Sequence, residues 1–439
     1  MKLFNQLFFN KLNFFDGLSL LLFSILPISL IIGNAAININ ILLINILFLI
    51  YCSKHRLWDW LKKDIFLYLL ILYIFLIMNS LYSYYSLLEN QTNSFYDDEG
   101  ILRSFLFVKF LLLVFAFSIL LDNEKILNLV HKNWLVIIAI IIIDVFFEKF
   151  TGRNIIGNIS PDGSRIVSFF KDELIVGGLI FCFGYSSSTY FINDSKNKSI
   201  SPILILFFLL VPLSVFITGE KSNFIKSILL FFIIIYFLRK NRQYLNYKIL
   251  IVSIFFLTSC FIIFSENTRI KYQEIYNRLV VAKENPQEGF EVQKTVWNTF
   301  SNIKYFAHYD VAIKIFTNYP ILGVGNKNFR KECSKEKYFN EKIAFSSSRC
   351  STHPHQIHFE ILSEQGILGY FLIFGLVLWL SFQSIKKFIK NKNIYHLNNI
   401  TYVLVFFLPL LPGGGIFSTF NGTLFWVIFS LMNLNYEKK

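Results

Sequence analysis

The stretch Cys350-Ser351-Thr352-His353-Pro354-His355-Gln356-Ile357-His358-Phe359-Glu360-Ile361-Leu362, continued by Gly366-Ile367-Leu368-Gly369, marks the point where a long polar segment gives way to an apolar helix. Three of the seven histidines stand within six positions of it. On either side the chain reads as membrane. Titratable side chains at a water–lipid boundary are where chemistry is expected in such a chain.

Outward from that junction, apolar runs of spanning length recur. The 439 residues are 54% hydrophobic and 16% charged, with a mean hydropathy of +0.52. A soluble protein would carry about a quarter charged residues. The pattern predicts an all-α polytopic membrane protein of about twelve transmembrane helices, near 17–33, 35–52, 65–86, 101–121, 134–150, 172–193, 201–218, 222–238, 246–264, 357–382, 398–411 and 416–434. Residues 1–264 would hold about nine of them, 265–356 a long outer loop with short helices, and 357–439 the last three. The abundance of Phe, Ile, Asn and Lys reflects in part an AT-rich coding bias and carries no functional weight. No cleavable signal peptide is expected, because the first span lacks a small-residue cleavage pattern.

Cation distribution orients these spans. Lys54, Arg56, Lys62 and Lys63 share one loop, Lys196 and Lys198 a second, Arg239, Lys240, Arg242 and Lys248 a third, and Lys386, Lys387, Lys390 and Lys392 a fourth. All fall on one side when both termini are cytoplasmic. The opposite, periplasmic side then receives the loop near 148–171, the short turn Gly219 to Asn223 and the segment 265–356. Orientation accounts for most of the net charge of +14, and no soluble basic domain exists to bind nucleic acid. The long segment carries 14 Lys and Arg against 9 Asp and Glu between Glu266 and Arg349. It is either a solvated surface or an electropositive lid for an anionic headgroup. Cys333 and Cys350 both lie in it, so in an oxidising compartment they are a candidate disulfide, with two free thiols as the other reading.

Several pieces in order along the chain resemble the O-antigen ligase and O-antigen polymerase family of bacterial cell-surface polysaccharide assembly. They are Ile143-Asp144 with Gly152, Asn154 and Gly157; Ser164-Arg165 through Asp172-Glu173-Leu174; Thr218-Gly219-Glu220-Lys221-Ser222; Asn318-Tyr319-Pro320-Ile321-Leu322-Gly323-Val324-Gly325 with Asn328-Phe329-Arg330; the His-Pro-His element; Gly366 to Gly369; and Pro412-Gly413. The resemblance covers roughly residues 140 to 430. Gln356 stands where relatives often have Asn, and Lys221 where many have Arg.

The resemblance implies a bacterial inner-membrane glycosyltransferase of lipopolysaccharide or polysaccharide biosynthesis. Such an enzyme moves a glycan from a polyprenyl diphosphate to a sugar hydroxyl on the outer face. The acceptor is a second lipid-linked glycan for a polymerase and a lipid A core sugar for a ligase. A chain-length regulator or a flippase would be its protein partner. No cofactor is implied.

A diphosphate leaving group needs fixed cations, and Arg165 is the first candidate because guanidinium grips phosphate bidentately. Lys221 and Arg330 are the others, with Arg349, Arg269 and Arg278 open beside Arg330. Each has a plainer reading: Arg165 as an interfacial arginine reaching headgroups, Lys221 as the partner of Glu220. His355 is the candidate general base. His353 suits a hydrogen-bonding or capping role, and His358 an aromatic-belt position one helical turn beyond His355. Asp172 and Glu173 fit a second base or sugar ligands as well as they fit helix capping. A metal held by His353, His355 and His358 is disfavoured, since Pro354 breaks a shared helical face and the HExxH spacing is absent. The competing function is a lipid-linked glycan transporter or flippase, against which the lack of internal repeats counts.

Overall fold

Where no water is available, a helix satisfies its own N–H and C=O groups, and the apolar runs fold accordingly. The computed structural model describes residues 13–89, 99–161, 165–170, 175–194, 200–241, 247–264, 304–341, 343 and 345–434. Among them there is helix and turn and no strand.

The order is α1 (Phe14–Ser24), α2 (Leu26–Ile32), α3 (Asn34–His55), α4 (Asp64–Glu89), α5 (Glu99–Leu106), α6 (Val108–Leu120), α7 (Glu124–Thr151), α8 (Val176–Leu179) and α9 (Tyr185–Asp194), the last two joined by a π-turn over Ile180–Gly184. Then follow α10 (Pro202–Ile217), α11 (Lys221–Asn241), α12 (Tyr247–Phe264), α13 (Lys304–Asn318), α14 (Phe329–Glu332), α15 (Ile357–Asn391), α16 (Ile394–Phe406) and α17 (Thr419–Met432).

Helix occurs at each of the twelve predicted stretches. By length and composition, six helices among the described residues can cross a membrane, and a seventh if the pair α1–α2, bent by 43°, counts as one span. The apolar helices α10 and α17 are shorter than a full span. The chain is an integral membrane protein on this pattern. Several predicted boundaries shift, the largest at the helix expected over 134–150, which starts at Glu124. The helix expected over 398–411 stops at Phe406, because Pro409, Pro412 and the run Gly413-Gly414-Gly415 cannot continue it. The helix expected over 357–382 runs on to Asn391, with Lys390 in its last turn, where cations suit the carboxyl end of the dipole.

Helix α17 forms the centre. From Gly422 to Met432 every residue is buried, and it packs against α3, α6 and α16. A helix apolar all round has to be enclosed by others. Trp134 on α7 donates its indole N–H to the Phe23 carbonyl at 2.8 Å, which ties α7 to α1.

The segment around α13 and α14 is built onto the bundle. Gly366 interrupts α15 with φ 65° and ψ −168°, and the turn 320–325 docks into that break. Val324 N donates to Ser363 O at 3.0 Å, Gly325 N to Glu364 O at 2.7 Å, and Ile367 N to Pro320 O at 2.9 Å. Asn79 of α4 donates to Leu322 O at 2.6 Å. The two glycine motifs are therefore halves of one backbone contact, since a Cβ at Gly323 would overlap Glu364 and one at Gly366 would overlap Ile321.

Cys333 and Cys350 are joined in a disulfide, with Cα atoms 5.4 Å apart and 17 residues of separation. Cys52 and Cys182 are buried thiols, and the side chain of Cys260 lies outside the described residues. A loop of that size loses about 3 kcal/mol of stabilisation when opened. Replacing both Cys333 and Cys350 by Ser is thus expected to lower the unfolding temperature of the protein in nanodiscs. A melting curve superimposed on the wild type would count against it.

Candidate functional site

Helix α15 starts at Ile357 because Gln356, in an extended conformation, caps it: its side-chain oxygen accepts from Phe359 N at 3.0 Å. His355 precedes the cap with φ 59°, in the left-handed region that costs a non-glycine residue about 1–3 kcal/mol. The surroundings hold it there. Its carbonyl accepts from Gly413 N at 2.7 Å, and its Nε2 lies 2.9 Å from Ser351 Oγ. The half-buried ring sits 5.3 Å from both Tyr305 and His308 and 4.3 Å from His353, centroid to centroid.

The other two histidines are hydrogen-bonded at both ring nitrogens. His353 Nε2 meets the Gly413 carbonyl at 3.3 Å and must donate to it, so Nδ1 is left to accept from Thr352 Oγ1 at 3.1 Å. Burial, then the Lys327 ammonium, push its pKa down to about 4, and it stays neutral. His358 donates from Nε2 to Phe407 O at 2.7 Å, with Nδ1 3.0 Å from Tyr370 OH. It lies among the rings of Tyr370, Phe374 and Phe407. The shared face predicted for His355 and His358 does not form, because the left-handed turn takes His355 off the helix.

Gly413 thus bonds both His353 and His355, and the loop after α16 brings further groups to the same place. A Cβ at Gly415 would overlap the Glu360 carboxylate, and one at Gly413 would lie 3.3 Å from Lys226 Nζ. Lys327 Nζ is 3.6 Å from Glu360 Oε1. Glu364, one turn on, accepts from Phe329 N at 3.4 Å. Lys226 and Lys327 are 4% and 8% exposed. His308 joins through Nδ1 and the Arg349 carbonyl, 2.9 Å apart.

Arg165 is presented by a clamped loop. Asp144 Oδ1 accepts from Ile155 N at 2.7 Å and Oδ2 from Ser168 Oγ at 2.5 Å. Glu148 accepts from Val167 N at 3.1 Å and Ser168 N at 2.6 Å, and the Asn154 amide bonds Ser168 O. Two acidic residues near the end of α7 therefore fix this loop. Ile166 N then donates to Thr218 O at 3.2 Å, setting Arg165 beside the turn that carries Glu220 and Lys221. Glu220 accepts from Gly177 N at 2.5 Å and Asn223 Nδ2 at 2.6 Å. Burial pushes its carboxyl up to about 7, against the pull of those bonds and of the Arg165 charge. Lys221 is exposed at the first position of α11.

Arg330 sits elsewhere: its guanidinium pairs with Glu99 at 3.1 Å. Arg103 also binds Glu99, at 3.2 Å, and reaches Thr419 Oγ1 at 3.1 Å. Arg349 donates to the carbonyls of Cys333, Ser334, Lys335 and Ser346, which locks the disulfide-closed loop. Asp172, Glu173, Arg269 and Arg278 lie outside the described residues. Among those that are described, no group of three or more His, Cys, Asp or Glu side chains is arranged to hold a metal ion.

The structure therefore joins Arg165 to the Glu220–Lys221 turn, and His355 to His353, His308 and Gly413. Helix α11 links the two sets, since Lys226 follows Lys221 by five residues, roughly 7.5 Å along the axis. Sequence reasoning missed Lys226, Lys327, His308 and the pair Glu99–Arg103. Lys226 carried a signal, a cation inside the apolar run Phe224 to Phe232; His308 and Lys327 carried none, because only tertiary packing brings them to the histidines.

Residues 204–374 match the family model described as O-antigen ligase. The match takes in the Glu220–Lys221 turn, the 318–330 turn, the His-Pro-His element and the Gly366 break. Arg165 and Gly413 lie outside it. No curated protein sequence matches the chain.

Proposed function

We propose that this chain, which belongs to the O-antigen ligase/polymerase family, transfers a glycan from a polyprenyl diphosphate to a sugar hydroxyl at the periplasmic face of a bacterial inner membrane. The observation that carries this reading is the shared position of His355, its strained backbone and the cations of α11 at one end of the bundle. The acceptor hydroxyl gives its proton to His355 as its oxygen attacks the anomeric carbon. The bond from that carbon to the diphosphate oxygen breaks, and polyprenyl diphosphate leaves as an anion held by Arg165 and Lys221. Preorganised donors of this kind stabilise charge as it develops. Glu220 holds the turn between the two cations. The Lys and Arg distribution across the loops supports cytoplasmic termini and about twelve crossings, and the disulfide suits an oxidising outer compartment.

Losing one charge-stabilising donor typically costs 10²–10³ in turnover. Arg165→Ala is expected to show about that loss, and Arg165→Lys to recover only part, because a point charge lacks the guanidinium fork. Initial rates with normally inserted protein check this; a wild-type rate for Arg165→Ala would remove Arg165 from the site.

The reading itself is tested by giving purified protein a polyprenyl-diphosphate oligosaccharide with either a second such lipid or a lipid A core acceptor. A ladder of products identifies a polymerase and a single transfer to the core a ligase. No product from either, together with lipid movement in proteoliposomes, would replace it with transport.

A further inference from the structure

Lys226 lies in α11, within a helix long and apolar enough to cross a membrane, and is 4% exposed. Among the described residues no carboxylate forms an ion pair with it. Its near neighbours are the ring of Phe406, 5.3 Å from Nζ, and the backbone of Gly413, where an added Cβ would stand 3.3 Å from the ammonium. An enclosed ammonium without a counter-charge is costly to hold, and a cation–π contact offsets only a small part of that cost. Ionisable groups kept at such a cost inside a bundle mark sites of function.

Its placement says which function. Gly413 donates its N–H to His355 O and accepts at its carbonyl from His353, so the ammonium lies against the residue that ties both histidines down. Lys327, whose charge also acts on His353, already has Glu360 at 3.6 Å. Among the described residues Lys226 has no such partner. On the same helix Lys221 is exposed at the first position, next to the turn that Arg165 flanks, and Lys226 is buried five residues further along. A diphosphate with an apolar tail has this polarity: two linked anionic groups, one nearer the lipid.

We propose that Lys226 is a second, buried anion subsite that binds the diphosphate of the lipid carrier, inward of Arg165 and Lys221. The inference rests on the transferase reading for the identity of the lipid, and on the enclosed, uncompensated ammonium for the existence of the subsite. The arriving phosphate supplies a counter-charge that no described carboxylate supplies.

This gives a signature that a structural lysine would not. In nanodiscs, Lys226→Met is expected to melt higher than the wild type, because an uncompensated charge is removed and replaced by an apolar side chain of similar length. At the same time its affinity for diphosphate should fall about ten- to a hundred-fold, the equivalent of one charge-assisted hydrogen bond. The probes are inorganic pyrophosphate and sugar-free polyprenyl diphosphate, each read by calorimetric titration and by the melting-temperature rise it causes. Lys226→Arg, which keeps the charge, should bind within a few-fold of wild type.

A loss with both probes identifies the diphosphate itself as the ligand, and a loss with the lipid probe alone identifies the lipid-linked form; either supports the subsite. Unchanged affinity in Lys226→Met, or a lower melting temperature with unchanged affinity, overturns it. Lys226→Gln gives the same comparison should the methionine variant not insert. The transferase reading fails separately, through absence of glycan transfer by the wild type, and leaves the binding comparison intact.

Discussion

His355→Asn is expected to cut glycan transfer by about 10²–10⁴-fold, the usual contribution of a general base, while leaving insertion and melting temperature unchanged. Asparagine is the informative replacement because of the backbone. His355 holds φ 59°, and Asn and His are the non-glycine residues most at ease there. Asn also keeps a polar group toward Ser351, 2.9 Å from the imidazole in the native protein. Alanine would have to occupy the left-handed region at a cost of about 1–2 kcal/mol, so His355→Ala should lose both activity and stability. Initial rates in nanodiscs with matched donor and acceptor make the measurement. A His355→Asn enzyme retaining more than about a tenth of the wild-type rate would mean that proton transfer is not its role. His353→Gln should behave differently. That ring is neutral and occupied at both nitrogens, so the damage belongs in the placement of the Gly413 loop.

The largest structural effect is expected at Gly366. Its φ 65°, ψ −168° pair is essentially open to glycine alone, and forcing another residue into such a region costs about 1–3 kcal/mol. A Cβ there would in addition overlap the Ile321 carbonyl and press on Leu322 N, where backbone cannot rearrange without undoing the docked turn. Gly366→Ala should therefore cost about 3 kcal/mol or more. It should release the 304–350 segment to protease before the bundle melts. Gly157 provides the comparison. It too has positive φ, at 91°, but nothing lies within 4 Å of an added Cβ, so Gly157→Ala should lose only about 1 kcal/mol. Equal losses at the two glycines would show that the turn does not depend on the break in α15.

The helices were legible because a membrane leaves the backbone few options: an apolar run of spanning length has to bond internally, whatever it packs against. The stops were less legible: the reading carried α16 through Pro409, five residues past its end at Phe406. Some candidate residues rest on short-range signatures. His355 stands at a polar–apolar junction, Cys333 and Cys350 share one segment, and Arg165 follows the resemblance.

What these residues do depended on the fold. Asp144 and Glu148 hold the Arg165 loop across separations of 11 to 24 residues. Gly413 reaches the histidines from about sixty positions away, and Lys226 meets that same glycine from another helix. Arg330, a candidate by pattern, is turned to Glu99 by the docking of the 320–328 turn against α5. Hydrophobic period and backbone chemistry act over a few residues, so the chain alone determined where helices form and only roughly where they end. The pairing of charges, the strain at His355 and the enclosure of Lys226 arise from contacts between distant segments, whose energies depend on burial and distance in three dimensions; tertiary structure alone decided them.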